Sequence, residues 1–178
     1  GATRVLSIAA GVRMDVLEGA LGAGTSVIRA MPNTPAMVGA GAAAIAAGSA
    51  ASVDDVAWAS QVLGAVGTVV EVAESQLDAV TGLSGSGPAY VFLIAEALID
   101  AGVLVGLPRD TASELAIQTL RGAAELLATG TSPADLRAAV TSPGGTTAAG
   151  VLALERAGVR AALAEAVVAA RDRSLELG

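Results

Sequence analysis

The sequence contains no cysteine, no histidine and no lysine, and its ten basic residues are all arginine. Those absences exclude disulfides, thiol nucleophiles, lysine Schiff bases and the usual zinc sites. Acid–base chemistry is left to Asp, Glu, Tyr, the Ser and Thr hydroxyls, or the substrate itself. Aromatic residues make up only 2% and the net charge is −7, so nucleic acid is not an expected partner. The lack of cysteine fits a cytoplasmic protein.

Charge is scarce as well, at 15% of residues against 53% hydrophobic, with a mean hydropathy of +0.66. A lone soluble domain averages nearer ~45–50% apolar. The surplus calls either for a membrane or for burial against another chain. The longest apolar run, PAYVFLIAEALIDAGVLVGL, carries Glu96 and Asp100 four residues apart on one helical face. Each would cost about 2.5–3.5 kcal/mol at mid-bilayer, so no membrane is expected. No basic segment followed by a cleavage site opens the sequence, and no signal peptide is expected. Burial in a subunit interface is the better account, because obligate interfaces resemble a domain core cut in half.

With 178 residues there is room for one large domain or two small ones. Residues 1–74 alternate strand-like and helix-like runs. RVLSIAAG (4–11), SVIRAMPN (26–33) and TVVEV (68–72) read as strands, and MDVLEGAL (14–21) and VDDVAWASQVLGAVG (53–67) as helices. GAAAIAAG (41–48), ambiguous in period, reads as a strand. This alternation predicts a parallel α/β sheet. Over 75–178 the strand signal disappears: helices are expected at 77–83, 88–105, 109–129, 147–157 and 159–177. Ser132-Pro133-Ala134-Asp135 reads as the capped start of another, short one. The fold class is therefore α/β followed by all-α. A nucleotide-binding sheet opens with strand–GxGxxG–helix, and that turn is missing; Gly22 and Gly24 do not follow a strand. The residues read like the back half of a larger protein.

Three stretches gather backbone freedom and hydroxyls. TSPGGTTAAG (141–150) precedes a helix whose first N–H groups suit a carboxylate or phosphate, with Thr146 and Thr147 able to add donors. The plainer alternative is an elaborate helix cap. SGSGPAY (84–90) is either a cleft wall or a hinge before Pro88. RAMPNTPA (29–36) sets Asn33 and Thr34 at the carboxyl end of a strand, where α/β sheets bind ligands, or else is a proline-stopped loop. Glu96, Asp100 and the later arginines are read as a solvated or interface-paired stripe.

Together with VLSIAAGV, VGTVVEV, LDAVTGLSGSGPAYVFLIAEALIDAGV, GLPR and AVTSPGGTTAAGVLALE, these stretches resemble the pyrroline-5-carboxylate reductase family over Val5–Gly178. The resemblance implies the C-terminal part of a Rossmann-type dinucleotide domain (1–74) and an all-helical dimerisation and substrate-binding domain (75–178). It implies reduction of L-1-pyrroline-5-carboxylate to L-proline with NADPH or NADH, in the cytoplasm, by a homodimer or a higher homo-oligomer. Ser142, Gly144, Gly145, Thr146 and Thr147 are then the substrate-binding residues, with the Thr147 hydroxyl as the catalytic group on the ring nitrogen. Met31, Pro32, Asn33 and Thr34 would border the nicotinamide, and Ser84, Gly85, Ser86 and Gly87 would form a cleft wall. No metal is implied. Two other readings stand beside this one. One is a non-catalytic oligomerisation fragment. The other is a reductase of the 6-phosphogluconate-dehydrogenase type, which uses a lysine that this sequence lacks.

Overall fold

Four short strands form one sheet in the computed structural model, which describes residues 4–178: β1 (Arg4–Ser7), β2 (Ser26–Met31), β3 (Gly41–Ala47) and β4 (Gly67–Glu71), in the order β1-β2-β3-β4. β2 is buried at every position, which is why its apolar residues do not alternate with polar ones and Arg29 alone interrupts them. β1 and β2 are parallel, with Arg4 opposite Ser26, and β3 and β4 are parallel, with Gly41 opposite Gly67. β2 and β3 run antiparallel, with Ile28 opposite Ala47 and Met31 opposite Ala44. The expectation of a purely parallel sheet is corrected at that pair, and the sheet is mixed. A parallel return needs a crossover of a dozen or more residues. Residues 32–40 hold only the 3-10 turn Thr34–Val38, so the chain reverses instead.

Each face of the sheet has its own helical cover. On one, Ile28, Ala30 and Ile45 pack with Ala59 of α2 (Val53–Gly64), flanked by Trp58 and Leu63. On the other, Met31, Ala44 and Ala46 pack with Leu77 of α3 (Leu77–Val80). The alternation along β2 follows from the two-residue period of a strand. Ile28, Ile45 and Leu77 are almost fully buried, each worth about 1.5–3 kcal/mol in transfer terms. α2 begins on a reciprocal cap: the Ser52 hydroxyl accepts from Asp55 N–H, and Ser52 N–H donates to Asp55 Oδ2 at 2.9 Å. The helix stops at Gly64, short of the expected 67, because Gly67 already opens β4. α1 (Met14–Leu21) lies where its amphipathic pattern puts it.

This sheet unit takes residues 4–88 together with Ala164–Gly178. The returning piece is the later part of α8 (Val159–Leu177), whose Ser174 hydroxyl donates to Asp78 Oδ1 at 2.6 Å. After α3 the helix does not simply continue to residue 83 as expected. It opens into a π turn, Thr81–Gly85, with Ser86 N–H donating to Thr81 O at 2.8 Å.

The second unit, Ala89–Leu163, is helical: most of α4 (Gly87–Leu104), α5 (Arg109–Ala128), α6 (Pro133–Ala139) and α7 (Thr146–Arg156). Within it Ala112 alone is buried, where α5 meets Gly102 of α4. Phe92, Leu93, Leu104 and Val105 stand 61–86% exposed. Such a unit has almost no core of its own. By length and composition alone, the helical run Glu74–Leu104 is also apolar enough to cross a membrane. Asp100 on that run pairs with Arg109 at 2.8 Å, both well exposed, an ion pair worth little.

Candidate functional site

The structure places the predicted site residues in two clusters, one in each unit. The first is built where β2 ends. Met31 is buried against Ala44 and Leu77, and Pro32 then takes the chain out of the sheet. Asn33 stands at the N-cap of the 3-10 turn in extended backbone, with Pro35 at its start and Thr34 exposed. Asparagine in that position ordinarily caps the turn with its side chain. Here it makes no cap bond. Its Oδ1 accepts from Ala42 N–H at 2.8 Å, at the start of β3, and its Nδ2 donates to Ser84 O at 3.0 Å.

Ser84 and Gly85 belong to the π turn, so RAMPNTPA and SGSGPAY, read separately in the sequence, meet here. The turn is fixed on other sides as well. The Thr81 hydroxyl donates to Leu77 O and the Ser84 hydroxyl to Val80 O. Gly85 faces Met31, whose Sδ would lie 3.5 Å from a Cβ at that position. Gly82 is pressed against α8, and a Cβ there would stand 2.5 Å from Val167 O. Ser86 and Gly87 lead from this turn into α4.

The second cluster is the link between α6 and α7. Gly144 has a φ of +71°, a backbone that side chains resist. Gly145 N–H donates to Ser142 O at 3.0 Å, closing a turn around Pro143 and Gly144. Gly145 is also the N-cap of α7, and no side chain caps it. The first intrahelical bond is Ala149 N–H to Gly145 O at 3.2 Å, which leaves the amides of Thr146, Thr147 and Ala148 at the helix entrance. Thr146 and Thr147 are exposed, and the cap reading finds no support in their hydroxyls. Thr141, by contrast, is engaged, its hydroxyl donating to Arg137 O at 2.6 Å. Glu155 further along α7 meets Arg160 and Arg137, and the Arg160 hydrogen bond holds its carboxyl below the usual range.

A pair that sequence reasoning missed is Arg29 and Glu74. Arg29 is buried in β2 and donates to Glu74 Oε1 at 2.7 Å; the same oxygen accepts from Met14 N–H at 2.6 Å. One carboxylate thus ties α1 to the sheet. A cavity of about 270 Å³ opens beside it, lined by Gly11, Arg13, Arg29, Glu74, Asp78 and Ser174, among others. None of the predicted site residues lines this cavity, and its charged side chains Arg13, Arg29, Glu74 and Asp78 are already engaged. The candidate functional residues are therefore those of the two clusters, each within its own unit. Among the described residues no group of acidic, His or Cys side chains could hold a metal.

Residues 74–177 match the family model described as pyrroline-5-carboxylate reductase dimerisation. The chain is 55% identical over its whole length to the Synechocystis protein named pyrroline-5-carboxylate reductase, covering 67% of it. It is 51% identical to the Arabidopsis thaliana protein of the same name, with 97% of this chain and 63% of that one aligned. Among solved structures, the Coxiella burnetii pyrroline-5-carboxylate reductase superposes with a TM-score of 0.95 at 43% identity, covering 98% of this chain and 66% of that one. The Plasmodium falciparum pyrroline carboxylate reductase, solved with NADP bound, gives 0.89 at 34% identity, over 97% and 70%. The chain spans about two thirds of the length of the relatives it matches.

Proposed function

Because the chain belongs to the pyrroline-5-carboxylate reductase family, we propose that it supplies the substrate-binding and subunit-pairing parts of an enzyme that reduces L-1-pyrroline-5-carboxylate to L-proline. The cofactor is NADPH or NADH, and the compartment we assign is the cytoplasm. The observation that carries the reading, beside the family, is the entrance of α7. Three amides and two exposed threonine hydroxyls gather there with no cap duty.

A nicotinamide, when bound, would supply the hydride for the imine carbon. Everything else is asked of side chains and backbone. A protonated imine is already electrophilic; as hydride arrives, its π pair returns to nitrogen, which keeps its proton. No strong acid is needed, in keeping with a sequence that has no His, Cys or Lys. The amides of Thr146 and Thr147 would hold the substrate carboxylate, aided by the positive end of α7. The Thr147 hydroxyl would bond the ring nitrogen, and Ser142 and Gly144 would shape the turn. Positioning of this kind supplies several kcal/mol of a barrier.

The described residues fit only one end of the cofactor. Met31–Thr34, at the carboxyl end of β2, suit the nicotinamide. No strand–GxGxxG–helix cradle for the pyrophosphate occurs among them: the turn from β1 to α1 carries only Gly11, and Gly22 and Gly24, with positive φ, lead into a strand. The purified 178-residue chain should therefore show no reductase turnover with pyrroline-5-carboxylate and NADPH, whereas the full-length reductase carrying these residues should. Turnover by the chain alone in the ordinary range of ~1–10³ s⁻¹ would overturn this placement of the cofactor.

A second reading, an oligomerisation module without catalysis, is favoured by the helical unit's single buried residue. It predicts an assembled but inactive full-length protein in the same assay. For the pairing itself we propose a second copy of this chain as the cover for α4 and α5. The match to a dimerisation family over 74–177 supports this, and it accounts for the exposed apolar surface without a bilayer.

A further inference from the structure

Four residues after Ser84 comes Pro88. In a continuing α-helix the Ser84 carbonyl would accept the N–H of residue 88, and proline has none. Pro88 sits at the start of α4, directly after the π turn, so the sequence itself orphans this carbonyl. Ser84 is partly buried, where an unpaired polar group is costly. The partner that the structure provides is Asn33 Nδ2, at 3.0 Å, from a residue 51 positions earlier.

The carboxamide is the right group for the place. Ala42 N–H requires an acceptor and Ser84 O requires a donor, and an amide presents one of each on a rigid plane. A carboxylate offers no donor, a leucine of similar shape offers neither, and serine is too short to span both. Asn33 also abandons its ordinary capping role to make these bonds.

We propose that Asn33 is a positioning residue of the reductase. Its side chain covers the carbonyl that Pro88 leaves without a helical partner, and so fixes the Ser84–Gly87 wall against the nicotinamide end of β2. The inference rests on the reading given under Proposed function. There Asn33 borders the cofactor; here its polar atoms are spent on the wall, and it acts through Ser84 and Gly85.

The test uses the full-length reductase carrying these residues, with NADPH as the varied substrate and melting curves in parallel. Asn33→Asp keeps the acceptor for Ala42 but loses the donor when ionised. At neutral pH we expect kcat/KM for NADPH to fall about 10–100-fold, as small misplacements near a reacting centre do. Enzyme assayed well below its melting temperature should still show the loss. Protonation of the introduced carboxyl restores an O–H donor, so the deficit relative to the parent should shrink as pH is lowered. The second arm is the Pro88→Ala background, where residue 88 regains an N–H for Ser84 O. The cost of Asn33→Asp should then be at least several-fold smaller. This double-mutant comparison still decides the matter if the single variant folds poorly. A deficit that ignores both pH and the residue at 88 would sink the proposal. So would variants that melt earlier while keeping kcat/KM within twofold of the parent. A parent enzyme with no reductase activity would instead overturn the functional reading. The Asn33–Ser84–Pro88 coupling would then still be read from melting temperatures.

Discussion

At the scale of single residues, the sharpest question is Thr147. If its hydroxyl bonds the imine nitrogen, Thr147→Val in the full-length enzyme removes that bond while nearly keeping shape. One hydrogen bond to a charged group is worth roughly 1.5–3 kcal/mol, or about 10–150-fold in turnover. Thr146→Val is the control and should leave kcat close to the parent. A wild-type kcat/KM for Thr147→Val would remove its catalytic role; no cap bond from either threonine exists to confuse the comparison. Asp55 answers a different question, acid stability. Hydrogen bonds from the Ser52 hydroxyl and the Ser52 amide, with Arg4 at 2.7 Å, hold its carboxyl down to about 2 from 3.8. The buried Ser26 hydroxyl favours the same ionised form without reaching hydrogen-bond geometry. A group whose folded pKa is depressed adds stability above its unfolded pKa and loses it as pH falls towards the folded one. The melting temperature should therefore drop between about pH 4 and pH 2, and Asp55→Asn should flatten that limb. An unchanged acid limb in the variant would show that other carboxylates govern it.

At the scale of elements, the π turn Thr81–Gly85 makes two neighbouring glycines unequal. An alanine at 82 would drive its Cβ to 2.5 Å from Val167 O, a backbone atom that cannot swing aside. Gly82→Ala should cost about 1–3 kcal/mol or more by overpacking. Gly85→Ala meets nothing nearer than 3.5 Å and should melt close to the parent; equal losses at both positions would contradict the packing described. This turn also marks the limit of what the sequence made legible. β2, α5 and α8 could be read because hydrophobic period and flanking Gly and Pro fix such elements locally, whereas β3, ambiguous in period, had only its flanking glycines. The glycine-rich entrance of α7 could be read for the same reason, since a helix start depends on residues beside it. The reversal between β2 and β3 could not, since nothing in residues 32–40 states which way the next strand will pair. Nor could the bond from Asn33 to Ser84, which depends on two distant stretches being folded together. The spacing of Ser84 and Pro88 was the one local clue to it. Arg29 and Glu74 were invisible for a similar reason, a buried pair being a property of the packed sheet.

At the scale of the whole molecule, the helical unit cannot account for its own stability. An 18-residue helix with no buried residue, α4, exposes Phe92, Leu93 and Leu104, and monomers rarely display apolar patches beyond a few hundred Å². Light scattering at micromolar concentration should find a dimer, with an interface above ~2,000 Å². A stable, well-folded monomer would refute it. The bond between Ser174 and Asp78 has a different consequence, one of timing. It joins residues 96 apart, and the sheet unit is completed only by Ala164–Gly178. A ribosome delivers residues 4–88 first, then the entire helical unit, and only afterwards the segment that Gly82 and Asp78 wait for. Closing so long a loop is thermodynamically mild, each doubling in length adding only about 0.6 kcal/mol. The delay is therefore one of order rather than of energy, and the nascent sheet unit must survive it with Asp78 and Gly82 still uncovered by α8. A premature stop at Ala164 would leave every residue of the helical unit in place, and the domain it would cripple is the one translated first.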